Sequence, residues 1–390
     1  MGDQELHAQA ITSERYQSLD GLRGIAAVVV LLHHSLLLVP ALAAPYYETH
    51  GVGQVGSWEW WLVETPLHLI WEGKAAVYVF FVLSGIVLTL PVLKTTRFSW
   101  RAFYPQRLIR LYLPVWAAVV FGVLTMELVR RSGDTGSLWL RERLTTVTPG
   151  TFIKDMTLVL GNGGLVSPLW SLRWEILFSI ALPLFVWAAA KWTNLNVAKI
   201  VLCLVVVAAG GVLQNSVLLY LPMFLTGAVI ATGMPALRRV SQVGGRSRFA
   251  GLVWGAAFGV GLLLMTSHWV AQGLGVPVAV VDSTSGPMLA GACIIVVSAI
   301  FWAPVSNFLT KSAVQWLGRI SFSLYLVHEP IVVASGYLFG PSHVWLAILC
   351  AIPVAVLAGW LFYQFVEKPS HRLAKAVRAR MSQDTAAIYF

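Results

Sequence analysis

Ten stretches of this chain are long and apolar enough to cross a bilayer, and this limits the fold before any motif is read. They fall at about 22–40, 75–93, 108–129, 169–190, 198–214, 217–233, 249–267, 287–303, 317–338 and 344–366, close to the ~20 residues a helix needs to span the hydrocarbon core. In hydrocarbon every backbone N–H and C=O must be bonded within the protein, so such runs fold as helices. Only 11% of the 390 residues are charged, against about 25% in a soluble domain. Mean hydropathy is +0.74. The expected fold is all-α: a polytopic membrane protein with about ten transmembrane helices. One transmembrane domain covers 19–369, between an N-terminal tail (1–18) and a basic C-terminal tail (370–390).

Orientation follows from Lys and Arg. Lys94, Arg97, Arg101 and Arg107 fall on the side of the termini. So do Arg238, Arg239, Arg246 and Arg248, and the tail with Lys368, Arg372, Lys375, Arg378 and Arg380. The opposite side holds the loop 41–73, which has no Lys or Arg, and the loop 130–168, where Arg130, Arg131, Arg141, Arg143 and Lys154 dissent. The positive-inside rule then puts both termini in the cytoplasm, and the expected location is a plasma or inner membrane. The net charge of +10 is explained by these loops, so nucleic acid is not expected as a partner; membrane lipid is. Cys203, Cys293 and Cys350 all lie in apolar runs, which gives no disulfide framework and no metal-ligand spacing. Arg23, His33 and His34 within the first run argue for a retained span rather than a signal peptide. Tyr46, Tyr47, Trp58, Trp60, Trp61 and Trp71 enrich the loop 41–73 in aromatics, as expected at a headgroup interface; a sugar-stacking platform is the sharper alternative.

Ionisable residues in a membrane span carry a large penalty and mark function by default. The first span carries Arg23 and His34, about 16 Å apart along a helix axis, which places His34 about halfway through the membrane. Histidine can take a proton from a hydroxyl near neutral pH. His33 points elsewhere on the helix and reads as structural. Arg107 and Arg110 share a helix face, and their planar guanidiniums suit phosphate; a positive-inside anchor is the plainer reading. Trp170 and Glu175 open the fourth span, with Glu175 about a turn and a half in from the outer side. Its carboxylate needs a partner, such as a basic residue of a neighbouring span. Tyr325, His328 and Glu329 lie in the ninth span. There Pro330 frees the carbonyl of Leu326, a place for the helix to bend round a cavity. Glu367-Lys368-Pro369 reads as the stop of the last span.

In their order and intervals these residues resemble the transmembrane acyltransferase family 3, membrane O-acyltransferases that modify bacterial surface sugars and some natural products. The matches are Leu19-Asp20-Gly21-Leu22-Arg23 with His34, Phe80-Phe81-Val82-Leu83-Ser84-Gly85, Arg107-x-x-Arg110, Trp170-Ser171-Leu172 with Glu175, Ser321 through His328, and Glu367-Lys368-Pro369. The resemblance implies Arg23 and His34 as the catalytic pair, Glu175 as a carboxylate needed for activity, and Arg107 and Arg110 as the cytoplasmic arginine motif.

On this reading an acyl-CoA, most simply acetyl-CoA, is the donor substrate, and no cofactor is permanently bound. Arg107 and Arg110, with Ser84, would hold the donor. His34 would act as general base, oriented or made more basic by Glu175. Trp170, Tyr325 and His328 would meet the acceptor, a hydroxyl of a carbohydrate or glycosylated molecule. Assembly as a homo-oligomer is left open. The rival reading is a proton-coupled secondary transporter or flippase, which intramembrane His and Glu also suit. Against it, the halves show no inverted repeat.

Overall fold

The computed structural model describes residues 2–47, 54–95 and 98–387, with side chains described from 17 to 381. Arg97, residues 48–53 of the aromatic loop, the side chains of the tail before Gln17 and those after Met381 lie outside the described residues. All regular structure among the described residues is helical. The principal helices are α1 (Gly2–Leu36), α2 (Gly73–Lys94), α3 (Trp100–Leu128), α4 (Leu169–Ile180), α5 (Leu182–Ala190), α6 (Asn196–Val212) and α7 (Ser216–Gly244). They continue with α8 (Ala250–Met265), α9 (Ser267–Gly273), α10 (Ser285–Phe301), α11 (Ala303–Leu309), α12 (Ser312–Phe339), α13 (Val344–Phe362) and α14 (Lys368–Ala387).

Eight helical stretches meet the length and hydropathy of a span. Two bent helix pairs, α4 with α5 at 68° and α8 with α9 at 59°, raise the number to ten where each pair is one span. Each of the ten expected runs therefore has its helix, and the chain is a multi-pass membrane protein.

The chain divides into two compact units. The first comprises Met1–Val30, His50–Leu93 and Leu182–Arg319; the second comprises Leu31–Thr49, Lys94–Ala181 and Ile320–Phe390.

Glycines set the helix spacing in the first unit. A Cβ on Gly85 would lie 2.3 Å from the carbonyl oxygen of Phe224, and one on Gly227 would lie 2.2 Å from that of Val82. Only glycine lets α2 and α7 approach this closely, as small residues do at membrane helix interfaces. The Ser84-Gly85 motif thus has a packing role through its glycine, while Ser84 itself is half-buried. The segment before α2 is pinned by a buried polar cluster. His68 bridges the Val63 carbonyl (3.0 Å) and the Glu72 carboxylate (3.1 Å). Trp269 of α9 donates its indole N–H to the same carboxylate, and His68 lies between the rings of Trp71 and Trp269. Trp71 is fully buried, whereas Trp58 and Trp61 are about half exposed. The aromatic loop is therefore part core and part surface, not a uniform interfacial belt.

In the second unit the loop 130–168 folds inward. Its Leu158, Leu165 and Val166 join Leu111, Val115, Val119, Leu172 and Leu326 in one apolar core. Gly122 makes room, since a Cβ there would lie 2.9 Å from Val166. Asp155, fully buried, accepts backbone N–H groups of Gly163, Leu165 (2.8 Å) and Val166 (3.4 Å), which closes the turn. Burial raises its pKa against those bonds.

α12 contains Pro330 without a break in the helix. One expectation about a helix break fails. Glu367-Lys368-Pro369 does not stop the last helix: a π-turn over Tyr363–Glu367 leads directly into α14. Pro369 follows two residues after the π-turn, whose looser i→i+5 spacing accommodates a residue without an N–H inside a continuous helix. The C-terminal helix packs on the unit through the fully buried Ala374, and Arg378 donates to Gln106 of α3 (3.2 Å).

Candidate active site

His34 lies in the last turn of α1, not midway along a longer span, because the chain turns at Leu37–Val39 and re-forms a short helix at Pro40–Ala43. It is half-buried and meets the fully buried His328 of the second unit. Its Nδ1 lies 2.9 Å from Nε2 of His328, and His328 sits eleven residues, about 16 Å, before the end of α12. The segment after α1 is covered: Ser137 donates its hydroxyl to the Leu37 carbonyl (2.6 Å), and a Cβ on Gly336 would meet both Leu38 and Leu140.

The hydrogen bonds fix which nitrogen of each ring carries a proton. Nδ1 of His328 is 2.9 Å from the Leu324 carbonyl oxygen. A carbonyl only accepts, so this nitrogen donates. Nε2 of His328, in the neutral ring, is then an acceptor, and Nδ1 of His34 must donate to it. This leaves Nε2 of His34 as the nitrogen with the lone pair. A proton taken there produces an imidazolium whose Nδ1–H is already bonded, the function that the carboxylate serves in a Ser-His-Asp triad. His33 stands edge-on to His34 at 5.1 Å and lies 3.4 Å from the Tyr46 hydroxyl.

A second set of contacts surrounds this pair. The Trp139 ring of the inserted loop lies 5.7 Å from that of His34. The Arg143 guanidinium sits over Trp139 at 4.8 Å and pairs with Glu329 at 3.4 Å. Glu329, almost fully buried, also accepts the backbone N–H of Ser167 (3.3 Å). Arg131 donates to the Leu144 carbonyl (3.2 Å). Burial pulls its pKa below the usual arginine value, and the carboxylate of Glu329 opposes this. The dissenting arginines of the loop 130–168 are thus explained in part: Arg131 and Arg143 are turned inward around a membrane carboxylate. The sequence held the clue, since Glu329 in an apolar run requires a cation and this loop has a surplus.

The other expected residues fall as follows. Glu175, expected to orient His34 or raise its basicity, is engaged by Arg107. Its carboxylate binds the Arg107 guanidinium, which also donates through Nε to Ser179 (3.2 Å). The Tyr104 hydroxyl donates to the Ile180 carbonyl (3.0 Å), so the end of α4 lies against the start of α3. The inserted loop fills the space above, and α4 begins deep in the unit. Arg110, one turn after Arg107, is half-buried. Tyr325 and Ser171 share a hydrogen bond (2.7 Å) and both reach the Pro168 carbonyl, at 3.2 and 3.0 Å. The Tyr325 hydroxyl thereby anchors the start of α4, where Trp170 is half-buried. Arg23 is half-buried in the first unit, on the same continuous helix as His34. The second unit thus gathers His34, His328, Tyr325, Trp170, Arg107, Arg110 and Glu175; Ser84 belongs to the first. Glu367, near the end of α13, accepts the Ser323 hydroxyl (2.5 Å) and faces His371 at 3.6 Å.

Comparison with known proteins shows the family. A family described as "Acyltransferase domain" matches residues 16–364. The acyltransferase MdmB of Streptomyces mycarofaciens is 25% identical over 392 residues, covering 92% of this chain and 92% of its own. The O-acetyltransferase PaAT-1 of Phomopsis amygdali is 25% identical over 447 residues, covering 93% of this chain and 84% of its own. No solved structure matches. A match over nearly the whole length, on a chain of membrane-spanning helices, leads to one conclusion: this protein belongs to the acyltransferase-domain family, as a multi-pass membrane member.

Proposed function

We propose that the protein transfers an acyl group, most simply acetyl, from a coenzyme A thioester to a hydroxyl of a carbohydrate or glycosylated acceptor. The observation that carries this reading is the His34–His328 contact together with the Leu324 carbonyl. In this reading Nε2 of His34 takes the proton of the acceptor hydroxyl as its oxygen attacks the thioester carbon. The new C–O bond forms, the C–S bond breaks, and the proton passes from His34 to the departing thiolate. General-base catalysis of this kind is worth typically about 10²–10⁴-fold. His328 holds the ring in the reactive tautomer and stabilises the transient imidazolium. Much of the remaining acceleration would come from holding donor and acceptor together.

Arg107 and Arg110 would receive the donor's phosphates on the side of the basic loops. Glu175 and Ser179 engage Nη2 and Nε of Arg107, so the phosphate would meet Nη1, with Arg110 one turn on. Glu175 acts in this scheme on Arg107, not on His34. The relatives' names, an acyltransferase and an O-acetyltransferase, favour this chemistry over a proton-coupled carrier. The termini and basic loops would face the cytoplasm, where coenzyme A thioesters are made.

The test is donor binding. Coenzyme A and acetyl-CoA should each raise the melting temperature of the detergent-purified protein, and Arg107→Ala with Arg110→Ala should weaken that shift and raise the KM for donor. A carrier would show no shift with either molecule, and that result would overturn the reading.

A further inference from the structure

The first unit contains an apolar cavity of about 640 Å³. Leu22, Ala26 and Val29 of α1 form one wall, Leu262 of α8 another, and Trp302 and Phe308 close the end nearest α11. The only ionisable side chain on its lining is Glu72, whose carboxylate is already engaged by Trp269 and His68. Water in such a space would lack the two to four polar partners that hold a buried water. A void of this size would be unfavourable in proportion to its volume. The occupant is therefore apolar.

Two observations identify it. Ile70 and Phe308, both on the lining, are about half exposed on the outer surface of the unit, so the cavity is a groove open to the bilayer. At the α11 end, the exposed Lys311 holds its ammonium 5.6 Å from the Phe308 ring, on the side of the basic loops. Apolar walls with one cation at the mouth complement a lipid chain with an anionic headgroup.

We propose that this groove holds one acyl chain of an anionic phospholipid from the leaflet on the basic side, with the lipid phosphate against Lys311. The bound chain supports α1 along the face of Leu22, Ala26 and Val29. This inference is independent of the acyl-transfer reading.

Native mass spectrometry of the full chain, with phosphatidylglycerol or phosphatidylcholine added in mild detergent, tests it. The wild type should carry one more phosphatidylglycerol per chain than Leu262→Trp, which fills the groove. Lys311→Glu should lose the preference for phosphatidylglycerol over phosphatidylcholine. Ala26→Leu serves as a second filling variant should Leu262→Trp fold poorly, with folding checked by melting temperature. Equal lipid retention in wild type and a folded filling variant would overturn the proposal. So would an unchanged headgroup preference in Lys311→Glu, or wild-type uptake of a neutral diacylglycerol ahead of phosphatidylglycerol.

Discussion

Glu72 in the first unit and Glu329 in the second are both almost fully buried carboxylates, and each has a cation-forming partner, His68 and Arg143 respectively. Their surroundings differ. Glu72 and its partners tie a loop to α9, beside an apolar groove. Glu329 follows His328 in the chain, and its arginine lies over the tryptophan that packs on His34. Glu175 and Glu367 are likewise placed on side chains of the second unit. Buried charge alone therefore does not locate an active site. What distinguishes the second unit is a chain of contacts that ends on an imidazole with a defined lone pair.

The sharpest way to break this comparison is to remove each carboxylate. Glu329→Ala and Glu72→Ala should each cost about 3–5 kcal/mol of stability, because removing one partner leaves an uncompensated buried group; melting in detergent reads this. Acyl transfer per folded molecule should fall only for Glu329→Ala. An equal fall for Glu72→Ala would erase the distinction.

The relay comes next in size. His328→Ala should lower kcat by about 10²-fold, the low end of general acid–base effects, while His328→Asn, whose amide oxygen can accept from His34, should recover part of the loss. Failure of His328→Asn to exceed His328→Ala would mean that the ring serves packing rather than tautomer control.

A double-mutant cycle on Arg107→Ala and Glu175→Gln should give a coupling of about 1.5–3 kcal/mol, the range for hydrogen bonds to charged groups. Coupling near zero would indicate that Glu175 acts elsewhere. The smallest effect belongs to packing. Gly85→Ala should destabilise by about 1–3 kcal/mol through overpacking against α7, with the donor KM unchanged in the folded fraction.

The ten spans could be read from hydropathy because each is a long apolar run, and bilayer physics permits little else. The bends were legible only in part. Pro183, two residues after Ala181, is a local signal for the first break, whereas Thr266 stands at the second with no adjacent proline or glycine, and mean hydropathy carries no direction. The inward fold of the loop 130–168 was signalled only indirectly, by Glu329 needing a cation and the loop holding a surplus; the composition of the loop is otherwise that of a surface loop. The pairing of Arg143 with Glu329 accounts for part of that charge. Likewise His34 and His328 could be flagged singly as intramembrane histidines, yet their contact joins residues 294 positions apart, and no local period reports that. Glu175 was recognised as needing a cation, and Arg107 supplies it; its expected role on His34 gives way, in the proposed scheme, to one on Arg107.

The most direct test of the central claim is the rate of acyl transfer from acetyl-CoA by purified His34→Ala, at a melting temperature equal to that of the wild type. The account predicts a loss of at least about 10²-fold. Transfer at the wild-type rate would contradict it.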